Sequence, residues 1–237
     1  MTDATAPSTT ESILTSTARD WSSDVTTFKG VPWGKAMMWI FLVSDTFIFT
    51  CFLVSYMTVR MTVTDPWPNP SEVFALAIPN ELFGWQFLES PIPVPLLLIA
   101  IMTFVLISSS GTMAMAVNMG YQRNKKGVVL LMSATALLGF TFVAMQGYEW
   151  SKLIFEEEVA PWNNPMGAAQ FGSFFFMVTG FHGLHVSAGV IYLAIIAYRV
   201  GRGHYDKTNF EIVEITGLYW HFVDLVWVFI FALFYLW

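Results

Sequence analysis

Two histidines, His182 and His185, stand three residues apart in TGFHGLHVSAG (Thr179 to Gly189), inside an otherwise apolar run. Imidazoles at that spacing project from neighbouring positions of one helix face, as many metal and haem ligands do. Four further ionisable groups interrupt apolar runs: Asp45, Glu149, His221 and Asp224. Carboxylates and imidazoles in such surroundings either ligate a metal, carry protons, or bond to one another so that neither is left unpaired in hydrocarbon.

Ligand counting weighs against a metal. A non-haem site needs three or more ligands at one level, and a haem site needs imidazoles facing across a cavity or an open iron position. The chain has four histidines, and His204 lies in a polar loop. One cysteine, Cys51, excludes an intrachain disulfide and a cysteine cluster, and reads as a small apolar core residue. No metal is therefore expected in this chain. Around the histidines, Gly180, Gly183 and Gly189 allow a neighbouring backbone to approach closely, and Thr179 and Ser187 can donate across that interface. The segment reads as interhelical or lipid-headgroup contact.

The elements that carry these residues are membrane spans. Of 237 residues, 55% are hydrophobic and 12% charged, about half the charge of a soluble domain. Mean hydropathy is +0.57. Five runs reach the roughly 20 apolar residues that a spanning helix needs: Ala36–Val59, Val94–Val117, Val128–Trp150, Phe171–Tyr198 and Ile212–Trp237. The second follows the proline-rich PIPVPLLL (Pro91 to Leu98). Residues 1–32 are rich in Ser and Thr and read as a mostly disordered cytoplasmic arm, with 33–237 as the membrane domain. Trp33, Tyr56, Trp67, Tyr121, Trp150, Trp162, Trp220 and Trp237 fall at or near span ends, as interfacial anchors do.

Orientation follows from the basic residues. Arg19, Lys29, Lys35, Arg123, Lys125, Lys126, Arg199, Arg202 and Lys207 fall on one side, and only Arg60 and Lys152 on the other. The positive-inside rule puts the N-terminus inside and the C-terminus outside. The outer loops hold Asp65, Glu72, Glu81 and Glu89, then Glu156, Glu157 and Glu158. These are either solvated loop charge or a negative rim that speeds the approach of a basic partner. A net charge of -6 does not suit nucleic acid.

Helical rise sets the depth of the polar groups. Counted from the inner end, Asp45 and His221 lie at about 14 Å, Asp224 at about 18 Å, His185 at about 20 Å and His182 at about 24 Å. Glu149 lies near the outer end of the third span. A shared level points to a buried pair, Asp45 with His221 or His221 with Asp224, or to separate bonds from each to a backbone carbonyl, a water or a partner subunit.

FFFMVTGFHGLHVSAGVIYL (Phe174 to Leu193) and GLYWHFVDLVWVFIFALFYLW (Gly217 to Trp237) resemble the last two helices of subunit III of haem–copper terminal oxidases. WGKAMMWIFLVSDTFIFTCFLVSY (Trp33 to Tyr56), PIPVPLLLIAIMTFVLISSSGTMAMA (Pro91 to Ala116) and LLGFTFVAMQGYEWSKLI (Leu137 to Ile154) resemble the three helices before them. The resemblance runs from Trp33 onward and leaves the arm outside it. It implies a bacterial inner-membrane subunit without a redox centre, with haem and copper in partner subunits I and II. Such a subunit stabilises subunit I, binds phospholipid in a cleft and sustains proton uptake, while the complex reduces dioxygen with electrons from cytochrome c and translocates protons. Seven-helix members carry a two-helix arm that walls the cleft. In its absence the cleft opens to the bilayer or another subunit supplies the wall. Aspartate in VSDTF (Val43 to Phe47), where cytochrome c oxidases commonly have glutamate, also resembles the quinol-oxidising branch. A nitric-oxide-reductase-associated homologue is the other alternative within the family. A stand-alone metalloenzyme or ion carrier is the alternative outside it.

Overall fold

A computed structural model describes residues 32–74, 96–205 and 211–237. The expected arm, Glu81, Glu89, Lys207 and the start of PIPVPLLL lie outside the described residues. Among those described, the secondary structure is helical: α1 Trp33–Thr62, the short α2 Pro70–Val73, α3 Leu97–Tyr121, α4 Lys125–Phe155, α5 Gln170–Gly201 and α6 Glu211–Ile230. A π-helical turn, Phe231–Leu236, continues α6. Five of these helices are long and apolar enough to cross a membrane, as the hydropathy pattern predicts. They mostly run a turn or so beyond the apolar cores, because polar end residues extend a helix into the interface without cost.

The chain divides into two compact units, Met1–Phe41 and Leu42–Trp237. The described part of the first is the opening of α1, where the Pro32 carbonyl accepts from the Lys35 and Ala36 amides. In the second, α3, α4, α5 and α6 pack as a ring, each against the next, with α6 also against α3. α1 buries one stripe, Leu42, Asp45, Phe49 and Tyr56. Phe49 and Phe52 meet Phe181 at 5.4 and 5.3 Å, and Tyr56 stacks on Phe234 at 3.9 Å. The π turn alters the backbone pairing at the end of α6, and there the Leu233 carbonyl accepts from the Tyr56 hydroxyl at 3.3 Å.

At the centre of the ring lies Trp220, fully buried. Its indole N–H donates to Ser109 Oγ on α3 at 2.9 Å. Its ring fills a slot between Gly139 on α4 and Gly189 on α5. A Cβ at Gly139 would overlap the indole, and one at Gly189 would come within 2.9 Å of it. Glycine at these two positions lets one large side chain of α6 touch three helices at once, the close approach that small residues give membrane helices. Gly183, expected to serve the same purpose, does not: a Cβ there would meet nothing within 4 Å. Gly180 faces Trp150, whose ring would lie 3.0 Å from an added Cβ. Cys51, expected in the core, is exposed on α1.

The slot makes a direct prediction. Gly139→Leu should destabilise the detergent-solubilised protein by about 1–3 kcal/mol through overpacking, seen as a lower temperature for loss of helical circular dichroism. Gly147→Leu on the same helix, where an added Cβ meets open space, should leave that temperature unchanged.

Candidate functional site

The polar residues of the spans fall into three groups, each built by one turn of helix meeting another. The first joins α1 to α5. Asp45, on the buried stripe of α1, places Oδ1 3.5 Å from His185 Nε2. His185 Nδ1 lies 2.8 Å from the Phe181 carbonyl one turn back. A carbonyl only accepts, so Nδ1 carries hydrogen and donates. Nε2 and the carboxylate then attract each other only with a proton between them, whichever atom holds it. A proton held on either atom leaves the pair without net charge. Its second oxygen, Asp45 Oδ2, has no hydrogen-bond partner among the described residues.

The expected partner of Asp45 was His221, and that pairing does not form. Depth counted along a helix fixes a residue's height to about a turn but says nothing about which way it faces. Asp45 shares its stripe with Phe49, which packs on Phe181 and His185. The carboxylate is therefore turned toward α5.

His221 belongs to a second group, between α3 and α6. Its Nδ1 lies 2.6 Å from Ser110 Oγ. Neither carboxylate oxygen of Asp224, one turn further along α6, has a hydrogen-bond partner among the described residues. The alternative pair, His221 with Asp224, does not form either: His221 meets Ser110 instead. Trp220 on Ser109 and Trp227 on Thr103, at 2.9 and 3.0 Å, extend this seam above and below.

The third group is at the other end of the bundle. Glu149, fully buried, accepts from Gln146 Nε2 at 2.7 Å and from the Tyr235 hydroxyl at 3.2 Å, so α4 is tied to the π turn. Its other oxygen, Oε1, has no partner among the described residues.

His182, the residue most suggestive of a ligand, is walled by rings. It stacks on Trp227 at 5.3 Å and meets Phe49 and Phe142 edge-on at 6.3 and 6.1 Å. Neither ring nitrogen has a hydrogen-bond partner among the described residues. It was expected to bond across helices and instead packs as an aromatic. Thr179 and Ser187 also depart from expectation. Their hydroxyls donate to carbonyls one turn back, Phe175 and Gly183, at 2.6 and 2.7 Å, the nearest acceptors for a hydroxyl in an apolar helix. In the loop after α4, Glu156 pairs with Lys152, and Glu157 and Glu158 follow it. No group of three or more His, Cys, Asp or Glu among the described residues could hold a metal.

Ser109, Ser110, Thr103, Gln146 and Tyr235 complete these groups and are missing from the sequence-based candidates. The run SSS (Ser108 to Ser110) in mid-span is the signal that could have found two of them, since hydroxyls act as glue between membrane helices.

A double-mutant cycle tests the pairing. Asp45→Asn with His185→Phe should show a coupling of about 1 kcal/mol in mixed-micelle unfolding. Asp45→Asn with His221→Phe should be additive to within about 0.5 kcal/mol.

The family model for cytochrome c oxidase subunit III matches residues 13–237, beginning inside the stretch that the resemblance left out. The bacterial cytochrome c oxidase subunit 3 of Alkalihalophilus pseudofirmus is 29% identical over 198 residues, covering 84% of each chain. The subunit 3 proteins of Coturnix japonica and Salmo salar are 31% and 32% identical over 213 residues, 88% of this chain and 70% of theirs. Five apolar spans with buried polar clusters, matched over nearly their whole length by one family, place this chain in the cytochrome c oxidase subunit III family, as a membrane subunit of an oxidase complex.

Proposed function

We propose that the chain is the subunit III of a bacterial haem–copper cytochrome c oxidase, in the inner membrane with its N-terminus inside. It carries no redox centre. Haem and copper sit in subunits I and II, which take electrons from cytochrome c, reduce dioxygen to water and move protons. This subunit stabilises subunit I, binds structural phospholipid and supports proton uptake. The match over residues 13–237 carries the reading. The chemistry of the spans supports it, because Asp45, His221 and Glu149 each lie against a polar group of another helix, an arrangement suited to holding a proton in hydrocarbon.

Asp45 is the residue for which a functional role is most specific. Its carboxyl faces His185 at 3.5 Å from the buried stripe of α1, while the neighbouring Phe47 and Ile48 are exposed for lipid or a partner subunit. A pair of that kind keeps a proton at the edge of the bundle without leaving a net charge in hydrocarbon.

Mild purification of a tagged chain should bring down subunits I and II with haem and copper absorption and support oxygen consumption with reduced cytochrome c. Recovery of the chain alone would contradict the proposal. Turnover with quinol but not with cytochrome c would move it to the quinol-oxidising branch. Within that complex, Asp45→Ala should make turnover fall off earlier as pH rises while the haem spectra stay normal. Replacing Glu156, Glu157 and Glu158 by glutamine should flatten the salt dependence of turnover if these residues steer a basic donor; an unchanged dependence removes them from that role.

A further inference from the structure

The seam between α3 and α6 turns one polar group out of the bundle. His221 Nδ1 lies 2.6 Å from Ser110 Oγ, and both residues are half-buried. The other ring nitrogen, Nε2, has no hydrogen-bond partner among the described residues and is not enclosed by them, unlike both nitrogens of His182. A neutral imidazole carries one hydrogen, and a serine hydroxyl can either give or take one. Nε2 is therefore left with an N–H or a lone pair to satisfy outside the bundle.

Depth makes that position costly. His221 lies about 14 Å from the inner end of its apolar run, and Ser110 about 16 Å from the inner end of α3. The hydrocarbon core is roughly 30 Å thick, so both sit near its middle, away from headgroup oxygens and bulk water. The surroundings suit a helix. At about 100° per residue, Ala114 and Ile107 stand roughly 40° and 60° outward of Ser110 on α3, and Leu225 roughly 40° outward of His221 on α6. All three are exposed. Gly111 comes next around α3, and an added Cβ there would meet nothing within 4 Å. Ala114 and Gly111 let a further backbone come close, while Ile107 and Leu225 supply apolar contact on either side of the imidazole.

We propose that this face of the α3–α6 seam docks a transmembrane helix of another subunit, which presents a hydroxyl or carboxamide side chain to His221 Nε2. Those side chains serve either tautomer and add no charge in hydrocarbon. The proposal rests on the chain being part of an oxidase complex and names the surface and the bond by which a neighbour is held there.

The test places the photoreactive residue p-benzoylphenylalanine at Leu225, an exposed position, and irradiates the intact complex in its native membrane. The expected product is an adduct with one other subunit, on a spanning peptide that carries Ser, Thr, Tyr, Asn or Gln within a helical turn of the attachment point. His221→Phe should lower the adduct yield about fivefold, the weight of one hydrogen bond between membrane helices. His221→Gln, whose carboxamide also donates and accepts, should restore most of it. Adducts with lipid alone overturn the proposal, and so does a partner peptide without such a side chain. Equal yields from the Phe and Gln variants overturn the bond to His221. If the chain purifies without oxidase subunits, the functional assignment fails, while the mass of the adduct still decides what covers this face.

Discussion

Trp220 touches three helices at once, and the positions of most other polar groups follow from it. The indole fits only because Gly139 and Gly189 leave room, and its N–H is satisfied only because Ser109 lies opposite. Hydrocarbon offers no water to either group, so a misplaced indole would lose both its contacts and its hydrogen bond. Once Trp220 is seated, the rotation of α6 is fixed. The next residue, His221, meets Ser110, and Asp224 follows one turn on. Two turns from Trp220, Trp227 reaches Thr103 and covers the face of His182. With His182 enclosed by rings, His185 is the imidazole of that segment left to meet Asp45.

This chain of placement explains how a membrane bundle accommodates so many costly residues. The ionisable side chains lie near different seams: Asp45 between α1 and α5, His221 and Asp224 between α3 and α6, and Glu149 between α4 and the π turn. Among the described residues, that dispersal leaves no group of three His, Cys, Asp or Glu side chains together. It also ties each helix to a neighbour by at least one polar contact, which in a bilayer adds specificity that apolar packing alone does not supply.

The spans and their polar residues were legible in the sequence because length, hydropathy and the rarity of charge in hydrocarbon are one-dimensional signals. Pairing was not. Asp45 and His221 were matched by height, yet their partners were chosen by helix rotation, which depends on Trp220 and its two glycines. Gly189 and Gly183 look alike in TGFHGLHVSAG, and only the indole from α6 distinguishes them. Ser110 and Tyr235 carry no charge to attract notice, and they matter because of what lies across from them.

Metal and haem analysis of this subunit after its separation from the rest of the complex tests most directly whether its histidines and carboxylates serve packing and proton balance. The expected result is iron and copper well below one atom per chain, no haem absorption, and full recovery of both metals with the remaining subunits. One equivalent of iron, copper or haem retained by the chain, and lost on replacing His182 or His185, would contradict it.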